Sequence, residues 1–202
     1  MDKFSYALGV SIGQSLLGSG VDKITFDDFT SGVKNVINKE DLLISEEEGS
    51  KILEEFFTNL NRILEERRMA EANENLEIGK KFLEENKTKD GVKVTESGLQ
   101  YRVIQDGSIM QWPTIYNRVR VHYEGRLLDG TIFDSSYNRG ESVEFNLNQV
   151  IPGWQEGLKL MKPGSKFEFV IPPALGYGEV GVPGHILGNS VLIFTVELLE
   201  II

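Results

Sequence analysis

The residues with the clearest potential for chemistry lie in the stretch RVHYEGRLLDGTIFDSS, residues 120–136. It places a large aromatic side chain, Phe133, directly beside a carboxylate, Asp134. An ionised carboxylate among apolar groups costs free energy unless it is hydrogen-bonded, and the nearest candidate partners are Tyr123 and Arg139. An apolar concavity with a few polar groups is the usual form of a small-ligand pocket. The stretch therefore predicts a pocket wall that carries one tethered charge.

Catalysis through a nucleophile or a metal is disfavoured by the residues that are present. The chain has no cysteine, which excludes thiolate nucleophiles, thiolate metal ligands and disulfides, and its imidazoles are those of His122 and His185. No GxSxG motif is present, and the glycines of residues 176–188 lack the following helix and the GK[ST] of a phosphate loop. Hydrolysis by two carboxylates stays open in principle, although no pair of acids is distinguished by its spacing. We therefore expect neither a metal nor a cofactor.

Strand alternation decides which side chains meet. Tyr123 faces inward, so His122 points outward, and a solvated His122 is favoured over a ligand or a base. His185 lies in a glycine-flanked loop and is interpreted as loop surface. The inward aromatic residues are Tyr123, Phe133, Phe145, Trp154, Phe169 and Phe194. Because Phe133 and Tyr177 are expected on loops rather than on strands, a pocket is favoured over a simple core.

The charge balance and the hydropathy pattern exclude two classes of partner. The 202-residue chain has 21 basic and 31 acidic side chains, and its net charge of −10 opposes binding to nucleic acid or to an anionic membrane surface. It has no run of about 18 apolar residues. The opening MDKFSYALG lacks the basic and apolar regions of a secretory signal. We expect a cytoplasmic protein, with the periplasm as the alternative if a leader has been removed.

Two segments with different patterns must position the candidate residues. All six prolines lie in residues 91–202, and the pattern changes near Asp90 and Gly91. The change predicts an all-helical domain at residues 1–90, with a long connecting helix at about 45–88, and a second domain at residues 91–202.

Residues 1–90 have the pattern of three amphipathic helices. The first ends near Gly18, the second follows a Thr25 cap, and the third begins at Ser45, where SEEE forms a capping box. Apolar residues recur at helical spacing in all three: Phe4, Leu8, Ile12 and Leu16; then Phe26, Phe29, Val33, Val36 and Ile37; then Ile52, Leu53, Phe56, Phe57, Leu60, Ile63 and Leu64.

The third helix is too long for the core of a small monomer. About 43 residues reach roughly 65 Å, and the middle of the helix, EERRMAEANEN, is almost wholly polar. We interpret its first part as packed and its middle as a solvated rod. Three short helices of about 64 residues form a marginal core alone, which favours intertwining with a second copy. A monomeric helical hairpin with a broken third helix is the alternative.

The second segment predicts one antiparallel sheet and one short helix. Five runs alternate apolar and polar residues, at about 99–103, 119–123, 143–147, 167–171 and 192–198. In VIPGWQEGLKLMKPG, Trp154, Leu158 and Met161 fall on one helical stripe, which the final PG ends. The fold class is therefore α+β, a helical region followed by an antiparallel sheet wrapped around a short helix.

Three separated blocks of the second segment resemble one known family. VHYEGRLLDGTIFDSSYNRG, VIPGWQEGLKLMKPGSKFEFVIPPALGYG and NSVLIFTVELL, in this order and spacing, resemble the FKBP-type peptidyl-prolyl cis/trans isomerase domain over residues 92–202. The first segment, with YALGVSIGQSL, LLISEEE and a long charged helix, is similar to the dimerisation region of the bacterial two-domain, Mip-like branch.

The resemblance implies a prolyl pocket and a role for each residue in it. Trp154 is implied as the floor beneath the prolyl ring. The walls are implied at Tyr123, Phe133 and Phe194, and the rim at Val150, Ile151 and Ile186. The Tyr177 hydroxyl and the Ile151 amide are implied as donors to a substrate carbonyl, and Asp134 as a charge tied to Tyr123 and Arg139. The implied catalytic residues are Asp134, Tyr177, Tyr123, Phe133, Trp154 and Phe194, and the implied substrate-binding residues are Val150, Ile151, Ile186, Arg139 and Val143.

Two departures from the family pattern bear on specificity. Val143 stands where many members carry another pocket aromatic, and Ile186-Leu187-Gly188 replaces Ile-Pro-Pro, which makes that loop more flexible. The preferred substrate and the affinity for macrolides therefore stay open. The stretch SIMQWPTIYN, residues 108–117, is unusually apolar, and ordinary edge packing is favoured there over an exposed contact patch.

The resemblance implies a peptidyl-prolyl isomerase that acts in protein folding without a covalent intermediate. The implied partners are unfolded or proline-containing client proteins, a second copy of the chain in a homodimer, and macrolide inhibitors. In that dimer the helical arms are expected to hold two catalytic domains apart. The alternative is a dimeric holdase chaperone, or a proline-peptide binding module, in which isomerisation is incidental.

Overall fold

Helices are the regular secondary structure of residues 1–65 in the computed structural model, which describes all 202 residues. Helix α1 spans Lys3–Gly18 and helix α2 spans Phe26–Asn38. The Asp2 carboxylate caps α1 by accepting a hydrogen bond from the Ser5 amide at 2.7 Å. Thr25 occupies the cap position of α2 as predicted, but its hydroxyl makes no capping hydrogen bond there.

Helix α3 spans Glu46–Asn86 without interruption, which confirms the predicted long helix. Its amino terminus has the predicted cap, since the Ser45 hydroxyl accepts a hydrogen bond from the Glu48 amide at 3.1 Å. Three acidic residues in the first turn, Glu46, Glu47 and Glu48, complement the helix dipole. The helix crosses the boundary between two compact units, Met1–Glu65 and Glu66–Ile202. None of the helices contains an apolar stretch of the length that a membrane span requires.

The exposure along α3 differs from the pattern that the sequence predicts. In the single chain the apolar stripe of its first half is open to solvent, with Ile52 and Leu53 more than half exposed. The polar middle is not solvated all round, because Ala72 is buried and Asn75 is half-buried against residues 188–190. The prediction of a solvated rod is therefore wrong for one face of the helix. Short polar and small side chains allow that face to contact backbone rather than water.

Seven strands form one antiparallel sheet in the unit Glu66–Ile202. They are β1 (Val92–Val94), β2 (Gln100–Gln105), β3 (Arg118–Arg126), β4 (Ile132–Ser135), β5 (Val143–Asn146), β6 (Lys166–Ile171) and β7 (Leu192–Ile201). Their order in the sheet is β1-β2-β6-β7-β3-β4, and β5 also pairs with β3. The antiparallel sheet is thus confirmed. Phe133 lies on β4, so the prediction that it lies on a loop is wrong; the sequence of β4, IFDS, does not alternate apolar and polar residues.

Helix α5 (Pro152–Leu158) packs on the inner face of the sheet; a single helical turn, α4 (Ser136–Arg139), precedes it in the chain. Two glycines of α5 allow close packing, because a Cβ on Gly153 or Gly157 would lie 2.6 Å from Ile171 or Phe169. The helix is shorter than predicted, since Met161 lies beyond its end. There Met161 is nevertheless fully buried, and its amide bonds the Leu158 carbonyl at 3.0 Å, which tightens the chain after the helix.

The stretch SIMQWPTIYN is only partly packed at the edge of the sheet. Ile115 packs against the core as edge packing predicts. The other large side chains are exposed: Ile109, Met110, Trp112 and Tyr116.

Candidate active site

A cavity of about 450 Å³ opens at one end of the sheet. The cavity is lined by Tyr123, Phe133, Asp134, Phe145, Gln149, Val150, Ile151, Trp154, Tyr177, Val182, His185, Ile186 and Phe194. The strands β3, β4, β5 and β7 supply side chains on their inward face, α5 supplies the floor, and the loop between β6 and β7 closes one side.

Trp154 forms the floor and is only 4% exposed. Three rings meet it edge to face, at centroid distances of 5.1 Å for Tyr123, 5.5 Å for Phe145 and 5.2 Å for Phe194. Such edge-to-face pairs are favoured by the quadrupoles of the rings. The buried Nε1 of Trp154 has no hydrogen-bond partner in the protein, so ring packing alone sets the orientation of the indole.

The walls depend on a glycine that the sequence places between two aromatic strands. Phe133 and Phe194 meet edge to face at 5.4 Å across Gly125 of β3. A Cβ at Gly125 would lie 2.6 Å from both rings, so any larger residue would displace the walls. This close approach explains the glycine in the motif HYEGR.

Asp134 is held by two neighbours at the edge of the cavity. The Tyr123 hydroxyl donates to one carboxylate oxygen at 2.5 Å, and the Arg139 guanidinium donates to the other. A second guanidinium nitrogen of Arg139 donates to the Tyr123 hydroxyl at 2.9 Å. Arg139 ends α4, a turn that is capped by Ser135 and closed by Gly140 at φ 77. The tether that the family resemblance implies is therefore present.

The three groups shift one another's protonation. Burial acts to raise the pKa of Asp134, but the hydrogen bonds from Tyr123 and Arg139 outweigh it and place that pKa below its usual value. Burial, together with the hydrogen bond to Asp134, raises the pKa of Tyr123 to about 12. At neutral pH the site therefore contains a carboxylate that is a poor base and a phenol that stays protonated. This arrangement suits an electrostatic role rather than proton transfer.

The turn that carries Arg139 is fastened to β3 by Ser136. The fully buried Ser136 hydroxyl accepts from the Tyr123 amide at 2.8 Å and lies 3.1 Å from Nδ1 of His122. The His122 ring stacks on Tyr137 with the centroids 4.9 Å apart. His122 lies outside the cavity as predicted, but it is half-buried rather than solvated, because this turn packs over it.

The remaining side of the cavity is the loop between β6 and β7. Tyr177 lies on this loop, as predicted, and is 38% exposed. Burial, aided by the charge of Asp134, raises the pKa of Tyr177, so its hydroxyl is a donor at neutral pH. A bridge between Val182 and Ile186 folds the loop back on itself. His185 is exposed yet lines the cavity, a position that its glycine-rich sequence context did not reveal.

Comparison with known proteins decides the family. Residues 111–199 match the model of the FKBP-type peptidyl-prolyl cis-trans isomerase, and residues 1–103 match the domain amino terminal to it. The chain is 43% identical over 198 residues to the FKBP-type 22 kDa peptidyl-prolyl cis-trans isomerase of Escherichia coli, which covers 98% of this chain and 94% of that relative. The chain belongs to the FKBP-type peptidyl-prolyl cis-trans isomerase family. Its activity is the cis–trans isomerisation of peptidyl-prolyl bonds.

Other relatives show that the likeness extends over both segments. The peptidyl-prolyl cis-trans isomerase Mip of Coxiella burnetii is 41% identical over 200 residues, 99% of this chain and 86% of that relative. The crystal structure of FkpA from Escherichia coli superposes with a TM-score of 0.76 at 38% identity and covers 98% of this chain and 95% of that chain. The resemblance to the two-domain, Mip-like branch is therefore confirmed.

The cavity of this FKBP-type chain brings together nine of the eleven residues assigned from the sequence: Tyr123, Phe133, Asp134, Val150, Ile151, Trp154, Tyr177, Ile186 and Phe194. Arg139 stands behind Asp134 rather than in the lining, and Val143 packs against the core. Four lining residues were not assigned to the site: Phe145, Gln149, Val182 and His185. Strand alternation did turn Phe145 inward, whereas nothing in the sequence distinguishes Gln149 or Val182. The individual roles stay predictions.

Proposed function

We propose that this cavity binds a prolyl ring on Trp154 and accelerates rotation about the X-Pro imide by favouring its twisted form, without a covalent intermediate. The planar imide has double-bond character, and its rotation barrier is about 18–20 kcal/mol. Each tenfold acceleration requires about 1.4 kcal/mol of stabilisation that the transition state receives and the ground state does not. A site for this reaction therefore needs selective binding rather than a nucleophile.

The chemistry of the cavity fits selective binding. The twisted imide has less charge separation than the planar one. A dry aromatic floor penalises charge separation, so it destabilises the twisted imide less than the planar imide. The Tyr177 hydroxyl and the amide of Ile151, at the amino terminus of α5, can donate to a carbonyl oxygen that has rotated out of the imide plane. Both residues lie at the cavity rim. Ile151 precedes Trp154 in the sequence, and Tyr177 follows it.

The observation that carries this proposal is the tether of Asp134. Both of its oxygens are hydrogen-bonded, to Tyr123 and to Arg139, and its pKa is lowered. A base would need a free oxygen and a raised pKa. We assign Asp134 to the orientation of Tyr123 and to the electric field of the cavity. Arg139 is assigned to fixing that carboxylate, and Val143 to supporting the cavity wall from the core.

The test measures prolyl exchange on a short X-Pro peptide. We expect Trp154→Leu to lower kcat/KM sharply, because it removes the floor beneath the prolyl ring. Asp134→Val combined with Tyr177→Phe should do the same, because it removes the Tyr177 donor together with the charge that orients Tyr123. Tyr116→Phe is the matched control for the lost hydroxyl, since Tyr116 is 92% exposed and outside the cavity. If the cavity variants exchange the peptide as fast as Tyr116→Phe, the assignment of the site is wrong.

We also propose that the chain acts as a homodimer on proline-containing or unfolded client proteins. The apolar side chains of α1 and α2 include none that is buried in the single chain, and the first half of α3 carries an exposed apolar stripe. Exposed apolar patches of this extent mark association surfaces. Sedimentation of the wild-type chain at micromolar concentration tests the dimer, and a monomer there would contradict it.

A dimeric holdase chaperone is the second candidate function, and the exposed apolar groove of residues 28–53 favours it. A holdase would suppress the aggregation of a client even when Trp154→Leu abolishes prolyl exchange. An isomerase that acts through its cavity would lose both effects on a client whose folding is limited by proline. The two outcomes are distinguished by one refolding assay with the same variant.

Macrolide binding and the compartment are further parts of the proposal. A macrolide that competes with the peptide would occupy the aromatic cavity, and its affinity is measured by inhibition of exchange. We place the protein in the cytoplasm, with the periplasm as the alternative, and fractionation of the source cell distinguishes them.

A further inference from the structure

The loop between β6 and β7 forms one side of the cavity and begins with a single 3₁₀ turn, Pro173–Leu175. It carries Tyr177, Val182, His185 and Ile186 into the lining. Its ends meet at a neck, where the Asn189 amide donates to the Gly178 carbonyl at 2.9 Å. The two sides of the neck also pack closely at Gly188, where a Cβ would overlap the Glu179 carbonyl oxygen. Beyond the neck the loop is held by the bridge between Val182 and Ile186.

The neck lies against one face of α3. Arg68, Ala72, Asn75 and Gly79 recur at spacings of four, three and four residues, which places them on a single helical face. Four hydrogen bonds join this face to the loop. A guanidinium nitrogen of Arg68 donates to the Val180 carbonyl at 2.7 Å. Asn75 donates to the Gly188 carbonyl at 3.2 Å and to the Ser190 hydroxyl at 3.4 Å. Asn189 donates to the Ala72 carbonyl at 3.1 Å.

The contact is closely packed as well as hydrogen-bonded. Ala72 and Asn189 are each 9% exposed. A Cβ on Gly79 would lie 2.9 Å from a methyl group of Val191, so the helix approaches the loop as near as a glycine permits. Asn189 has the left-handed φ of 57, a conformation that asparagine tolerates better than most residues. The residue types of both partners thus fit this contact.

We infer that the Arg68–Gly79 face of α3 positions the substrate loop of the active site, with Asn75 and Asn189 as the positioning residues. The inference rests on the proposed function of the cavity. A loop that is ordered before substrate arrives needs no further ordering on binding. The contact between α3 and the loop therefore raises the affinity for the peptide. Asn75 and Asn189 lie outside the cavity lining and act only through the residues that the loop carries.

The test uses the full-length chain with Asn75→Ala. Its matched control is Asn73→Ala, which removes the same side chain from an exposed position on another face of α3. Loop order is measured by hydrogen exchange at the amides of Val182, Ile186 and Asn189, which are hydrogen-bonded within the loop. We expect Asn75→Ala to speed exchange at these amides about three- to tenfold, because it removes the hydrogen bonds from Asn75 to Gly188 and Ser190. The sheet amides of β3 and β7 should exchange as in the control.

Kinetics give the second measurement. We expect the KM for a short X-Pro peptide to rise by a similar factor in Asn75→Ala while kcat changes little, because the lining residues are intact. Asn189→Gly keeps the left-handed backbone and removes the donor to Ala72, so it should reproduce both effects; it decides the test if Asn75→Ala does not fold. Loop exchange equal to that of Asn73→Ala in both variants would overturn the inference. Since exchange needs no turnover, that result is distinct from a wild-type chain that fails to isomerise the peptide.

Discussion

At the scale of single residues, Asp134 illustrates how a carboxylate serves a reaction that transfers no proton. Its position beside Phe133 suggests an acid or a base when only the sequence is considered. The structure surrounds it with the Tyr123 hydroxyl and the Arg139 guanidinium, and these donors stabilise the charged form. Tyr123 and Arg139 therefore determine the position of the Asp134 carboxylate and the electric field at the edge of the cavity.

The protonation of Asp134 predicts a pH-dependent contribution to stability. The folded pKa lies below the ordinary value of 3.8, so the folded state binds fewer protons than the unfolded state near that pH. The stabilisation is complete above about pH 5 and is lost as the pH falls through the folded pKa. Asp134→Asn removes this contribution, so wild type should lose more stability than the variant between pH 7 and pH 3. Urea denaturation at both pH values measures the difference, and equal losses would contradict the lowered pKa.

The packing at Gly125 predicts a second effect of a single side chain. Gly125→Ala would place a methyl group 2.6 Å from the rings of Phe133 and Phe194. Overpacking of this kind costs about 1–3 kcal/mol, and the displaced rings should also lower prolyl exchange. Gly32→Ala is the control, because a Cβ there has nothing within 4 Å. Urea denaturation and peptide exchange check both effects, and a variant with unchanged walls would keep wild-type values in each.

Much of the site was predictable at this scale, because strand alternation alone turns Tyr123 inward and His122 outward. The side chains of the β6–β7 loop were not predictable in the same way. His185 reaches the cavity only because the loop folds back through Val182 and Ile186, and that path depends on contacts distant in sequence. The half-burial of His122 likewise depends on the turn α4, which is too short to leave a periodic pattern.

At the scale of elements, the substrate loop contains two glycines that have similar backbone conformations but different surroundings. Gly181 and Gly184 both have positive φ, at 69 and 78, so alanine is strained at either position. A Cβ on Gly181 would also overlap the Ile186 carbonyl, whereas nothing lies within 4 Å of one on Gly184. We expect Gly181→Ala to raise the KM for the peptide well above that of Gly184→Ala. Both variants share the backbone strain, so the difference between their KM values measures the effect of the steric overlap at Gly181. Equal KM values would show that close packing at Gly181 does not determine the order of the loop.

The elements that the sequence predicts best are those with long periodic patterns. The helices α1 to α3 and five of the strands follow directly from apolar spacing. Strand β1 has only three residues, and strand β4, IFDS, has two apolar residues followed by two polar ones rather than an alternating pattern. The polar middle of α3 misleads for a different reason. Arg68 and Asn75 bond backbone carbonyls of the loop, so a face that looks solvated is a contact surface.

At the scale of the whole molecule, the two surfaces that a client protein could contact, the cavity and the exposed apolar side chains of the helices, belong to different compact units. The cavity lies wholly within Glu66–Ile202, and the half of α3 that positions its loop belongs to the same unit. The unit Met1–Glu65 contributes no residue to the cavity, and its apolar side chains are exposed in the single chain. Peptide isomerisation should therefore need only the second unit. Action on a large client should need association through the first.

A charge in the apolar stripe of α3 tests this division. Phe56 is 44% exposed and stacks edge to face on Phe57, so Phe56→Glu introduces a carboxylate where a second copy would pack. Thr58→Glu adds the same charge at an exposed polar position two residues away. We expect Phe56→Glu to sediment at half the mass of Thr58→Glu, while both keep the wild-type kcat/KM on a short peptide.

Refolding of a large client distinguishes the contribution of a single cavity from the contribution of association between two copies. Two cavities on one dimer raise the effective concentration of the second after the first has bound, so a long unfolded chain is held far more tightly than a short peptide. We expect Phe56→Glu to lose at least about tenfold in its effect on a proline-limited client, and Thr58→Glu to lose little. A monomeric Phe56→Glu that refolds the client as well as Thr58→Glu would show that association is not needed, because one cavity would then suffice for both substrates.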